Sequence, residues 1–98
     1  MEIGALSPSP RKLFMFYVYI IKSRKDSSIY IGYTDNLIRR MKEHNSGLSK
    51  YTKNKYPFEI IYYEAYKNIS DAKYREDNLK RFAQAYSQLK KRIKNSLE

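Results

Sequence analysis

Residues 14 to 22, FMFYVYIIK, are almost unbroken Phe, Tyr, Val and Ile, a composition that suits a buried strand. Arg24 to Ser28 is a polar turn, and Ile29 to Tyr33 resumes the β-favouring pattern, so the first third of the chain reads as a hairpin. The period then changes. Leu37, Ile38 and Met41 recur at helical spacing behind Thr34 or Asp35, either of which can cap a helix, and Gly47 supplies a stop after about ten residues. Gly47 to Pro57 is polar, basic and without periodicity, which predicts an exposed loop. Phe58 to Tyr66 reads as a third strand, Ser70 can cap the next helix, and Ala72 to Leu97 stays helix-permissive. No Gly or Pro divides that last stretch, so one helix or two remain open. The order ββαβα(α) predicts an α/β (α+β) domain with a small three-stranded, antiparallel-containing sheet flanked by helices.

The N-terminal MEIGALSPSPRK lacks the long apolar core of a signal sequence, and its Ser-Pro-Ser-Pro opposes regular structure. Residues 1 to 12 are expected to be a flexible leader and 13 to 98 a single domain. The longest apolar run, Leu13 to Ile21, is nine residues, about half of what a membrane-spanning helix needs. No membrane association is expected. With no cysteine, disulfide scaffolds, thiolate nucleophiles and zinc ribbons drop out, and a cytoplasmic location fits.

Charge narrows the partner. Twenty Lys and Arg against ten Asp and Glu give a formal charge of +10 in 98 residues, beyond the magnitude of roughly 2 to 8 that solubility alone requires. The excess is spread along the chain, with no detachable basic tail, and a polyanion is the natural partner. No protein partner is evident.

Three groups of residues break the hydrophobic pattern. On the first helix, Leu37, Ile38 and Met41 average about 45° when Leu37 is set to zero. Arg40 and His44 fall near ~300° and ~340°, adjacent at i,i+4 beside that stripe, while Arg39 falls near ~200°, facing away. Arg40 and His44 can share a site; the competing reading is a snorkelling Arg and a His filling the edge of a core. On the second helix Ala72, Leu79, Ala83 and Tyr86 form a stripe with Glu76 in its middle. A carboxylate there needs a cation or a metal, or else a neighbouring Lys or Arg pairs it. Eleven tyrosines suit both core filling, expected for most of them, and base stacking. Tyr51 and Tyr56, in the basic loop with Lys50, Lys53 and Lys55, are placed for stacking on nucleic acid, the competing reading being a Lys-rich loop that is simply solvated. Gly-rich phosphate loops, GxSxG and His clusters are absent from the sequence, so Tyr, Arg, His and Glu in a basic chain remain, a set suited to phosphodiester chemistry.

These residues resemble the GIY-YIG nuclease family over roughly Phe16 to Phe82, and most of all its small stand-alone members related to the excinuclease catalytic domain. YVY at Tyr17 to Tyr19 stands where the family has GIY, with Tyr17 in place of its glycine. YIG at Tyr30 to Gly32 stands as itself, ten residues on. GYTDNLIRRMKEH resembles the family's glycine followed by a helix bearing Arg and, four residues later, His or Tyr. SDAKYREDNLK resembles the helix with the metal-binding Glu.

The resemblance implies a metal-dependent endonuclease acting on DNA, with single-stranded or branched repair or recombination substrates. Tyr19, Tyr30, Arg40, His44 and Glu76 would be catalytic, and Glu76 would hold one Mg²⁺ or Mn²⁺. Gly32 would let the substrate approach closely. Tyr19 would act as base if Arg40 and the metal pull its pKa toward neutrality, with His44 as rival base. The alternative is a non-catalytic nucleic-acid-binding module with the same fold.

Overall fold

The computed structural model describes residues 14–98; the leader expected over residues 1 to 12 lies outside them. The elements are β1 (Phe16–Ser23), β2 (Ile29–Thr34), α1 (Leu37–Asn45), β3 (Phe58–Tyr66), α2 (Ile69–Arg81) and α3 (Ala83–Arg92). This is the expected α+β architecture. The sheet is antiparallel throughout, in the order β2-β1-β3.

The most apolar strand takes the central place because only there are both of its faces covered. Val18, Tyr19, Ile20 and Ile21 are 0 to 1% exposed, and burying such side chains is worth about 1.5 to 3 kcal/mol each. Strand alternation splits them between two cores. Val18 and Ile20 meet Ala72, Leu79, Leu89 and Ile93 under α2 and α3. Tyr19 and Ile21 face the other way, with Phe58, Tyr30, Leu37, Met41 and Ile60. A bulge opposite Ile20 and Ile21 assigns Ile60 to the smaller core and Ile61 to the larger.

Several local expectations are corrected. The cap of α1 is Asn36, whose side chain accepts from Arg39 N at 3.0 Å, rather than Thr34 or Asp35. Thr34 still belongs to β2, and its hydroxyl accepts from Asn36 N at 3.1 Å. The cap of α2 is Asn68, not Ser70, with Asn68 Oδ1 accepting from Ser70 N at 2.8 Å. The C-terminal stretch is two helices, parted at Phe82, whose φ of −110° and ψ of 107° are extended. That break takes Ala83 out of the buried stripe, and Leu89 and Ile93 replace it. Tyr19 is fully buried and Tyr30, Tyr62, Tyr66 and Tyr86 pack against the two cores, while Tyr33, Tyr51, Tyr56, Tyr63 and Tyr74 are exposed, so the tyrosines divide about evenly between core and surface.

Gly47 follows α1 with a φ of +78°, the left-handed conformation that a glycine adopts without penalty. The segment after it is less open than its polarity predicts, because Ser49 and Thr52 are 3% and 1% exposed. Ser23 Oγ donates to Lys55 O at 2.6 Å, and Asn45 Oδ1 accepts from Phe58 N at 2.6 Å, tying the segment to the hairpin and to β3.

Candidate active site

Tyr19 projects from the middle of β1 into the smaller core, and its ring fits there because Gly32 lies opposite it on β2. A β-carbon on Gly32 would stand 2.5 Å from the phenol oxygen and 2.7 Å from Cζ. The structure therefore gives this glycine a local reason that the sequence reading did not: it makes room for Tyr19, not only for a substrate.

The phenol oxygen meets both side chains singled out on α1. His44 Nε2 lies 2.9 Å away, and Arg40 Nε donates to the same oxygen at 3.3 Å. His44 is 0% exposed and takes the place on the buried face expected for Ile38, which is 72% exposed. The buried face of α1 is thus centred on Leu37, Met41 and His44, turned toward Arg40. A polar ring is tolerated in the core because both nitrogens have partners, the second being Thr52 Oγ1 at 2.8 Å. Tyr19, Tyr30 and Phe58 surround the ring at centroid distances of 5.7, 5.5 and 5.9 Å.

Arg40 is fixed on three sides. Besides Tyr19, it donates to Glu43 Oε1 at 2.8 Å and to Ser49 Oγ at 3.4 Å. It borders a cleft of about 370 Å³ lined also by Tyr33, Thr34, Asp35 and Glu43, so a substrate has a way to the guanidinium. Arg39 lines the same cleft but does not meet the phenol; it donates to Asp35 Oδ1 at 2.6 Å.

Glu76 closes the group from α2. Its side chain is 16% exposed, and its one ion-pair partner among the described residues is Lys80, with Nζ 3.3 Å from Oε2. The same ammonium lies 5.9 Å from the centre of the Tyr30 ring. Tyr19, Tyr30, Arg40 and His44 thus form one contiguous group, and Glu76 reaches its Tyr30 edge only through Lys80, although its charge is felt at Tyr19. Lys50, Tyr51 and Lys53 lie on the exposed face of the loop near it, while Lys55 pairs with Asp26 at 3.7 Å.

Burial dominates the protonation equilibria. It raises the Tyr19 pKa above the usual phenol value against the hydrogen bond and charge of Arg40, and the nearby Tyr30 and Glu76 raise it further. The expected pull toward neutrality is therefore outweighed, because a phenol enclosed in the core gives up more hydration on ionising than one guanidinium returns. Burial first, and Arg40 second, lower His44 to about 4. The resting pair is a neutral phenol beside a neutral imidazole.

The sequence reading missed Ser49, Thr52 and Lys80, and it missed a second enclosed acid. Glu64 on β3 is also 16% exposed. It accepts from Tyr62 at 2.6 Å, from Tyr66, and from Arg75 Nε and Nη2 at 3.0 Å each. Its carboxylate is saturated by partners that lock α2 to β3, whereas Glu76 has a single lysine. No group of three or more His, Cys, Asp or Glu suited to a metal occurs among the described residues; of the two enclosed acids, Glu76 is the less encumbered and could offer an oxygen to a divalent ion. One accessible hard oxygen fits Mg²⁺ or Mn²⁺, which keep several waters and take substrate phosphate oxygens.

A family model described as the GIY-YIG catalytic domain matches residues 15–95. A UPF0213 protein of Clostridium perfringens is 44% identical over 68 residues, covering 68% of this chain and 72% of the relative. A UPF0213 protein of Staphylococcus haemolyticus is also 44% identical over 68 residues, covering 68% of this chain and 82% of its own. The solution NMR structure of the UPF0213 protein BH0048 from Bacillus halodurans is 35% identical with a TM-score of 0.49, covering 76% of this chain and 81% of that one.

Proposed function

Because this chain belongs to the GIY-YIG catalytic-domain family, we propose that it is a metal-dependent endonuclease that hydrolyses phosphodiester bonds in DNA, single-stranded or branched, in the cytoplasm. The observation that carries the reading is the meeting of Tyr19, Arg40 and His44 through one phenol oxygen beside the singly paired carboxylate of Glu76. Lys80, four residues on from Glu76, is the pairing that the sequence leaves as the alternative to a metal.

Hydrolysis needs a water deprotonated in line with the leaving oxygen and cations on the charge that develops. Arg40 clamps the phosphate from the cleft. The raised pKa of Tyr19 disfavours a standing phenolate, so the phenol takes the proton from water while handing its own to His44 Nε2, 2.9 Å away. The imidazolium formed is offset by the negative charge of the substrate phosphate. Tyr30, whose ring packs on His44, orients the water. Glu76 would hold a Mg²⁺ or Mn²⁺ ion once Lys80 gives way, and such an ion supplies Lewis-acid stabilisation of the phosphoryl oxygens and the leaving 3′ oxygen.

Purified protein is to be tested on labelled single-stranded, branched and duplex DNA and on RNA, with Mg²⁺ or Mn²⁺. Cleavage abolished by EDTA supports the reading; metal-independent binding with no cleavage of any member identifies a non-catalytic binding module instead. Binding should weaken steeply with salt, log K falling by ~0.7 to 0.9 per phosphate contacted for each tenfold rise in salt. A flat titration would remove nucleic acid as the partner.

A further inference from the structure

The loop after α1 carries two buried hydroxyls on its inner side. Ser49 Oγ accepts from Arg40 at 3.4 Å, and Thr52 Oγ1 lies 2.8 Å from His44 Nδ1. Neither belongs to the reacting set, yet each touches a member of it. Lys50, Tyr51 and Lys53 of the same loop point outward.

The direction of the hydrogen bonds follows from what each group can do. A guanidinium only donates, so at the 3.3 Å contact the Tyr19 oxygen accepts from Arg40 Nε. The phenol proton, in a residue 1% exposed, then has His44 Nε2 as its acceptor at 2.9 Å. Nε2 must carry a lone pair, and a neutral imidazole with a lone pair on Nε2 has its proton on Nδ1, facing Thr52. In the reverse arrangement Thr52 donates to Nδ1 and Nε2–H points at a phenol oxygen that already receives Arg40, leaving the phenol proton without an acceptor in the core. Either arrangement leaves one buried hydroxyl proton over, that of Tyr19 or that of Thr52; the aliphatic hydroxyl turns freely about its Cβ–Oγ1 bond to find another acceptor, whereas the phenol proton is held near the ring plane.

We propose that Thr52 is a positioning residue. Its Oγ1 accepts the Nδ1 proton of His44 and thereby holds the ring in the tautomer whose Nε2 takes the proton of Tyr19. In its catalytic consequence this rests on the nuclease reading above; in its placement of protons it does not.

His44 is the only histidine of the chain, so its two ring nitrogens can be assigned without ambiguity in ¹⁵N-labelled protein. Two-bond ¹H–¹⁵N correlation near neutral pH should find Nδ1 protonated and Nε2 bare in the wild type. Thr52→Val keeps the shape and removes the acceptor. It should move the ring toward the Nε2–H form and lower the cleavage rate about tenfold to a hundredfold, the usual loss for an outer partner, with oligonucleotide Kd unchanged. Thr52→Ser should restore both. A wild-type ring protonated on Nε2 overturns the proposal, as does a Val variant with unchanged tautomer and rate, or a Ser variant that restores neither. If the Val variant does not fold, the wild-type and Ser spectra still decide. A wild type that binds but never cleaves refutes the nuclease reading, and the tautomer of the wild type and its change in the Val variant then decide the proton placement.

Discussion

Gly32 and Tyr19 face each other across the β1–β2 pair so closely that a β-carbon on the glycine would stand 2.5 Å from the phenol oxygen. Gly32→Ala should therefore displace the phenol from His44 and Arg40, destabilising the fold by about 1 to 3 kcal/mol and abolishing cleavage. Adding Tyr19→Leu should recover part of the stability and none of the activity, since neighbouring changes of this kind are not additive. Denaturant titration of the two variants checks this; a fully stable Gly32→Ala protein would contradict the contact.

The arginine pair separates clamp from surface charge. Arg40→Ala should cost ~10² to 10³ in rate, the order lost with one transition-state donor. Arg39, paired with Asp35 and 55% exposed in its side chain, should when changed to Ala mainly weaken binding. Single-turnover cleavage and Kd measured side by side distinguish the two; equal losses would refute the division.

Between the tyrosines, Tyr19 is expected to matter more. Tyr19→Phe preserves the packing of the smaller core and removes the proton relay, worth ~10² to 10⁴ in rate. Tyr30→Phe should cost less. Full activity in both, followed across pH, would remove tyrosine from the chemistry and leave His44 as base.

Glu76→Gln should end metal-dependent cleavage while leaving DNA binding largely intact. Titration with Mn²⁺ gives a second readout, because the variant should lose the binding that the wild type shows. Parent-rate cleavage would mean that another acid serves.

His44 makes stability depend on pH. Its folded pKa of about 4 lies below the ordinary histidine value of about 6.5, so the unfolded chain binds the proton more readily. The stabilisation is present above pH ~6.5 and is lost as pH falls toward 4, on the order of 3 kcal/mol in all. Urea midpoints between pH 7 and pH 4 should fall more steeply for the wild type than for His44→Gln. Parallel slopes would show that His44 is not the group responsible.

The strands and the i,i+4 pair were legible because periodicity alone carries them: β3 spans Phe58–Tyr66 as read, and Arg40 and His44 do meet at one oxygen. Ile38 was misplaced because hydropathy cannot count the two hydrogen bonds that admit His44 to the core in its stead. Thr34, Asp35 and Asn36 are all able to cap, and the choice depends on where β2 ends. Phe82 parts two helices by an extended conformation open to any residue, without Gly or Pro. Glu76 stands out on an apolar helix stripe and Glu64 does not stand out on its strand; only the tertiary partners show that Glu64 is enclosed and saturated while Glu76 has one lysine.

The alternation of β1 gives one strand two duties, with Val18 and Ile20 serving one core and Tyr19 and Ile21 the other. An inherited change at the Tyr19 phenol is therefore also a change of core volume. Loss of activity without loss of solubility has a narrow route here: a substitution such as Phe that keeps the ring, or a change at the rim of the cleft. Screens that select only for well-expressed protein will for the same reason enrich chains in which that ring is intact.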